Sequence, residues 1–144
     1  MLRARMRSLW IIVALAALGA LAPGCAPQIG ASCSTGFNCS INGDRQCDLA
    51  SPNGVCTVFS CEADTCPDSA VCVRWRPEPS RLTFTACMKR CQSDGDCRVD
   101  EGYRCMAAED ILTTSEGGTV AAEVVDLEDP NGHFCVATDP AGGG

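Results

Sequence analysis

Histidine occurs once in this 144-residue chain, as His133. A single imidazole rules out histidine-rich zinc sites and leaves most Ser-His or Cys-His arrangements at most one candidate base. With no partner motif nearby, His133 reads as a surface or turn residue. No nucleophile elbow, phosphate-cradling loop or dinucleotide fingerprint occurs. Cysteine pairs at the two-residue zinc-finger spacing are missing too. Aromatic residues make up 5% of the chain, and outside Leu9 to Ala22 large apolar side chains are sparse. A hydrophobic core alone therefore holds such a chain weakly. The longest apolar run, those fourteen residues, falls short of the roughly 20 that a spanning helix takes. These absences point to no catalytic residue, no cofactor and no resident metal. They describe a structural or binding module rather than an enzyme.

Cysteine is what the sequence has in excess. Of thirteen cysteines, Cys25 stands directly behind a signal-like segment and the other twelve fall into three groups of four. Residues 1–24 carry Arg3, Arg5 and Arg7, then the apolar run, then Pro23 and Gly24, as expected of an export signal. Two processing routes fit. Ala22-Pro23-Gly24-Cys25 resembles the lipobox of bacterial lipoproteins, which implies a lipid on Cys25 and a membrane as partner. Ala20-Leu21-Ala22 instead suits ordinary signal peptidase and a freely secreted or periplasmic product. Parity favours the lipid: without Cys25 an even number of thiols remains, and an odd one would need an intermolecular partner. Ala26 in place of aspartate resembles the enterobacterial pattern for outer-membrane sorting, so the expected location is the cell outer membrane.

Loss of residues 1–24 removes three arginines and no acid, taking the formal net charge from −7 to −10. Such a chain is a poor partner for nucleic acid or anionic lipid headgroups, which need basic surface. Residues 25–32 then read as a linker, 33–138 as the disulfide-rich domain and 139–144 as a disordered tail.

Spacing organises the domain. Cys33, Cys39 and Cys47 are separated by five and seven residues, and Cys91, Cys97 and Cys105 repeat both intervals. Asn53-Gly54 precedes Cys56 and Asn131-Gly132 precedes Cys135, while Cys61, Cys66, Cys72 and Cys87 form a quartet between them. The expected fold is small, disulfide-rich, mainly β and loop, with modules at 33–56, 61–87 and 91–135 and two disulfides in each. A four-cysteine module allows three connectivities. The simplest joins Cys33 to Cys47 and Cys39 to Cys56, Cys61 to Cys72 and Cys66 to Cys87, and Cys91 to Cys105 and Cys97 to Cys135.

The segment Cys91-Gln-Ser-Asp-Gly-Asp-Cys97, followed by Gly102-Tyr103-Arg104-Cys105, resembles the cysteine-rich modules of the whey acidic protein and Dickkopf types over about fifteen residues. The whey acidic resemblance implies that the cysteine opening the segment pairs with the one closing it, while the middle cysteine reaches further on. It also carries an implied inhibitor activity, although the adjacent cysteine pair of that family is absent here. Cysteine-rich bacterial lipoproteins, whose mature parts carry such runs, are the closer likeness.

Alternation over Val71, Val73 and Trp75, and again over Leu82 and Phe84, predicts a hairpin turning at residues 77–80 with Arg76 opposite Arg81 and Val73 opposite Phe84. Its other face carries Cys72 and Cys87. A second hairpin is predicted from Ile111–Thr114 and Thr119–Val125, with a short helix over 106–111 as the alternative. Arg74, Arg76 and Arg81 make the first hairpin a candidate surface for a protein partner. Residues 109–129 carry seven acids and no base, so basic and acidic segments are expected to pair within the fold. Asp94, Asp96, Asp100 and Glu101 could form a weak calcium site. Counted from Asp94, however, Val99 and Cys105 replace the glycine and final carboxylate of an EF-hand loop, so these aspartates are expected to cap turns.

Overall fold

With few large side chains to bury, the chain uses short antiparallel pairs cross-linked by cystine. The computed structural model describes residues 27–78, 82–115 and 118–138. Their order is a one-turn helix α1 (Gly36–Cys39), then β1 (Gln46–Asp48), β2 (Val55–Thr57), β3 (Ala70–Glu78), β4 (Phe84–Lys89), β5 (Tyr103–Met106), β6 (Leu112–Ser115), β7 (Gly118–Val124) and β8 (Phe134–Ala137). Three sheets result: β1–β2, the four-stranded β4-β3-β7-β6, and β5–β8. Cys25, the segment 1–24 read as an export signal, Arg81 and residues 139–144 lie outside the described residues.

Six disulfides join Cys33–Cys47, Cys39–Cys56, Cys61–Cys72, Cys66–Cys87, Cys91–Cys105 and Cys97–Cys135, so each bridge stays within its group of four. One geometry recurs. The third and fourth cysteines of every module face each other across an antiparallel pair, Cys47 with Cys56, Cys72 with Cys87 and Cys105 with Cys135. Direct neighbours on one sheet face, they each bond outward to the loop that carries the first two cysteines. The two cystines of a module are thereby stacked on a single strand pair, and the sulfurs of its first three cysteines lie within 4.8 Å of one another.

The first hairpin forms, with its register two residues from the expected one. Trp75 faces Phe84, Val73 faces Ala86, and Cys72 faces Cys87. A two-residue slip preserves every side-chain face because the strand period is two, so Val71, Val73, Trp75 and Phe84 still share a side. The slip arises because β3 has two partners. It runs past the end of β4 to pair with β7 from Val73↔Val124 to Glu78↔Thr119. The expected turn at 77–80 is therefore partly strand, and Leu82 stands outside β4 and is exposed. The second hairpin forms as β6–β7, and a 3-10 turn at Ala108–Asp110 occupies part of the stretch where a helix was the alternative.

The modules are cross-linked separately and packed jointly. The long last interval of the third module contributes β6–β7 to the sheet of the second. Val71, Val73, Ile111, Val124 and Phe134 form the core beneath, with Trp75 edge-on to Phe134 at a centroid distance of 6.0 Å. Asp126 is buried, and its carboxylate accepts the backbone N–H groups of Asp64 (2.8 Å) and Cys72 (3.0 Å). Asp64 answers by accepting those of Leu127 and Glu128. The first module joins the second where Thr57 Oγ1 donates to the Cys87 carbonyl at 2.8 Å. It joins the third where the Tyr103 hydroxyl donates to the Pro52 carbonyl at 2.8 Å and Arg98 to that of Gly54 at 2.9 Å. Burial raises the Tyr103 phenol above its ordinary pKa. Gln28 to Ala31, assigned from sequence to a linker, belong to the fold. Ile29 is 2% exposed among Cys61, Ala70, Cys72 and Cys87, and its neighbours Gly30 and Ala31 bond to both sides of Cys56.

The two Asn-Gly endings are not equivalent. Asn53 and Gly54 both take positive φ, and a Cβ on Gly54 would stand 2.0 Å from the Cys33 carbonyl oxygen. Gly132 has no such backbone. A Cβ there would press on Val71 and Asp129, so the glycine answers to close packing.

Candidate functional site

Each module begins with a loop of four or five residues between its first and second cysteines, and a side chain just before the second cysteine closes that loop. Asn38 Oδ1 accepts the N–H groups of Ser34 (3.0 Å) and Thr35 (2.9 Å). Asp96 Oδ2 accepts those of Gln92 (2.9 Å) and Ser93 (3.0 Å). In the shorter middle loop Thr65 Oγ1 accepts the Glu62 N–H at 3.0 Å and donates to the Glu62 carbonyl at 2.8 Å. The same capping logic thus appears three times with three residue types. It explains why the Cys91-Gln-Ser-Asp-Gly-Asp-Cys97 run folds as it does, and why matching intervals accompany different residues.

This assigns Asp96 of the acidic run to turn formation and engages Asp94 and Glu101 elsewhere within the third module. Asp94 accepts the Cys105 N–H at 2.9 Å and lies 3.8 Å from Arg104, and Glu101 pairs with Arg98 at 2.6 Å. Asp96 serves the loop just described. The hydrogen bonds from Gln92 and then Ser93 hold the Asp96 carboxyl below the usual aspartate value of 3.8. A depressed carboxyl stabilises the fold above the unfolded value and loses that contribution as pH falls through the folded one. In an acid titration followed by NMR, the Gln92 and Ser93 amides should move together with a midpoint below 3.8. Ser34 and Thr35, held by a non-titrating Asn38, should not share that transition. A midpoint at the ordinary value would mean that the capping bonds are absent in solution.

The basic hairpin is engaged internally. Arg74 and Arg76 both reach Glu123 on the neighbouring strand, at 3.0 and 2.7 Å, and Arg90 reaches Asp129 at 2.6 Å. Basic and acidic segments therefore pair across β3 and β7, although exposed pairs of this kind contribute little to stability. His133 is exposed, and its carbonyl accepts the Cys91 N–H at 3.1 Å. The clustered cysteine sulfurs are all in disulfides and so are not thiolate ligands.

One concave feature had no signal in the sequence. Between the β1–β2 turn and the β3–β4 face lies a cleft of about 190 Å3 walled by Phe59, Trp75, Phe84 and Met88, with Asp48 and Ser51 on its polar side. Phe59 meets Phe84 edge to face at 6.4 Å, and an isolated bridge between Phe59 and Ala86 fixes it against β4. The cleft joins residues of two modules, so neither the spacing nor the alternation within one module could have marked it.

Among the described residues, no helix is long and apolar enough to cross a membrane. No protein-family profile and no solved structure matches the chain. The chain is similar to spore coat protein SP60 of Dictyostelium discoideum, with 33% identity over 89 residues, covering 51% of this chain and 19% of that protein. It spans about a fifth of that relative's length.

Proposed function

We propose that this is an exported structural module of a cell surface or coat, held at a membrane by a lipid on Cys25 and performing no chemistry of its own. The observation that carries the reading is the joining of three doubly cross-linked modules into one body, the second and third by a shared sheet and the first by hydrogen bonds to both, with all twelve described cysteines in disulfides. Such a body persists where thiols are oxidised, and it resists unfolding and proteolysis without a large core. Similarity to a spore coat protein supports a structural role. The lipobox-like Ala22-Pro23-Gly24-Cys25 and the parity of the remaining cysteines support the anchor.

The anchor would be short. Only Ala26, Pro27 and Gln28 separate Cys25 from buried Ile29, a reach of about 13 Å over four steps of roughly 3.3 Å. A lipid there holds the module against the bilayer surface rather than on a tether. Cys25→Ala should move the protein from the membrane fraction to the soluble one while the other twelve cysteines stay oxidised, and mass spectrometry of the parent should find diacylglycerol on Cys25. Retention of the variant on membranes after carbonate washing, or an unmodified amino terminus near Pro23, would overturn the anchor. The second of these results would favour a secreted inhibitor or ligand.

A further inference from the structure

We propose that the cleft between the β1–β2 turn and the β3–β4 face is a binding site for a single alkylammonium group. Three aromatic rings and a thioether form its apolar walls, and aromatic faces attract cations that are shed of water. Its polar side selects the sign of the ligand. The hydroxyl hydrogens there are already committed, Ser51 Oγ donating to Asp48 Oδ2 at 2.8 Å and Thr57 Oγ1 to the Cys87 carbonyl at 2.8 Å. What these groups still offer is lone pairs: those of the Asp48 carboxylate and of the two hydroxyl oxygens. A sugar or an anion would find no free hydroxyl donor on that side. A neutral apolar group would strip water from the carboxylate with nothing in return. A cation that only donates, on an apolar stem, satisfies both sides.

Position and size agree. Asp48 is fixed in place, because its Oδ1 accepts the Ala50 N–H at 3.0 Å and its backbone lies in β1 opposite Val55. No lysine or arginine lines the cleft, and residues 25–144 carry a formal charge of −10 that draws cations. At about 190 Å3 the space falls below the roughly 300–1,000 Å3 of ordinary small-molecule pockets, which suits one ammonium head and its first carbons.

Trp75 is the only tryptophan in residues 25–144, so its fluorescence reports on the cleft in the otherwise intact protein. Titrations with tetramethylammonium, with Nα-acetyl-lysine N-methylamide and with the neutral 3,3-dimethylbutan-1-ol distinguish the cases. A saturable change with tetramethylammonium identifies a free quaternary amine as the natural class, and one with the lysine amide identifies a lysine side chain of a protein partner. Asp48→Asn keeps the Ala50 acceptor, and it should weaken either cation about tenfold. Phe84→Leu should weaken it as well, with near-ultraviolet dichroism and disulfides unchanged. The proposal fails if neither cation gives a saturable change, or if the neutral alcohol binds as tightly as the cations. These tests on the parent decide the matter even if a variant does not fold.

Discussion

Reduction of the folded protein at neutral pH should abolish its near-ultraviolet circular dichroism and leave an unfolded chain. The described residues bury few large side chains: Phe134, Ile29, Val71 and Val73 are the principal fully enclosed apolar ones, and the rest of the interior is largely cystine. Each bridge closes a loop of 11 to 38 residues and stabilises by about 3 kcal/mol through the unfolded state. Six such contributions together exceed the roughly 5–15 kcal/mol net stability of an ordinary domain, so nothing of the native packing should survive their loss. Unreduced peptide mapping should return bridges confined to 33–56, 61–87 and 91–135. A native signal persisting in reductant would mean that the shared sheet β4-β3-β7-β6 and its small core suffice alone.

That sheet also shows where the sequence was legible. Cysteine intervals are local and discrete, so the grouping into three quartets with two disulfides each could be read directly from positions 33 to 135. Alternation from Val71 to Trp75 marked one face of a hairpin, and that face holds in the structure. The register did not follow, because alternation reports a strand's two faces and says nothing of how many partners it has. With β7 as a second partner, β3 extends to Glu78 and the expected turn dissolves into strand. The Asn-Gly endings show a related limit of the sequence. Identical dipeptides serve a left-handed turn at Asn53-Gly54 and a tight contact with Val71 at Gly132. The three capping side chains Asn38, Thr65 and Asp96 carried a weak signal, their common place before the second cysteine. The cleft around Trp75 carried none, since Asp48 reaches it from the first module and Phe59 from the segment between the first two.

Asp126→Ala should be among the most damaging single changes outside the cysteines. In the third module's long interval, this buried carboxylate takes two backbone N–H groups of the second module, those of Asp64 and Cys72. Hydrogen bonds to a charged acceptor are among the stronger ones, and the Cys72 amide is buried, so alanine leaves it with no acceptor and no ready access to water. The expected loss is roughly 3 kcal/mol, or about 10–15 °C in melting temperature for a domain of this size. Asp126→Asn keeps one acceptor oxygen but turns an amide N–H toward a backbone donor, and it should fall between alanine and the parent. Asp64 closes the same pair of loops from the opposite side, through Leu127 and Glu128. Asp64→Asn combined with Asp126→Ala should therefore cost less than the sum of the two single changes. If Asp126→Ala melts within a few degrees of the parent, water has replaced the carboxylate at both amides. The second and third modules would then be held together by β3–β7 pairing, the core beneath it and the Asp64 hydrogen bonds.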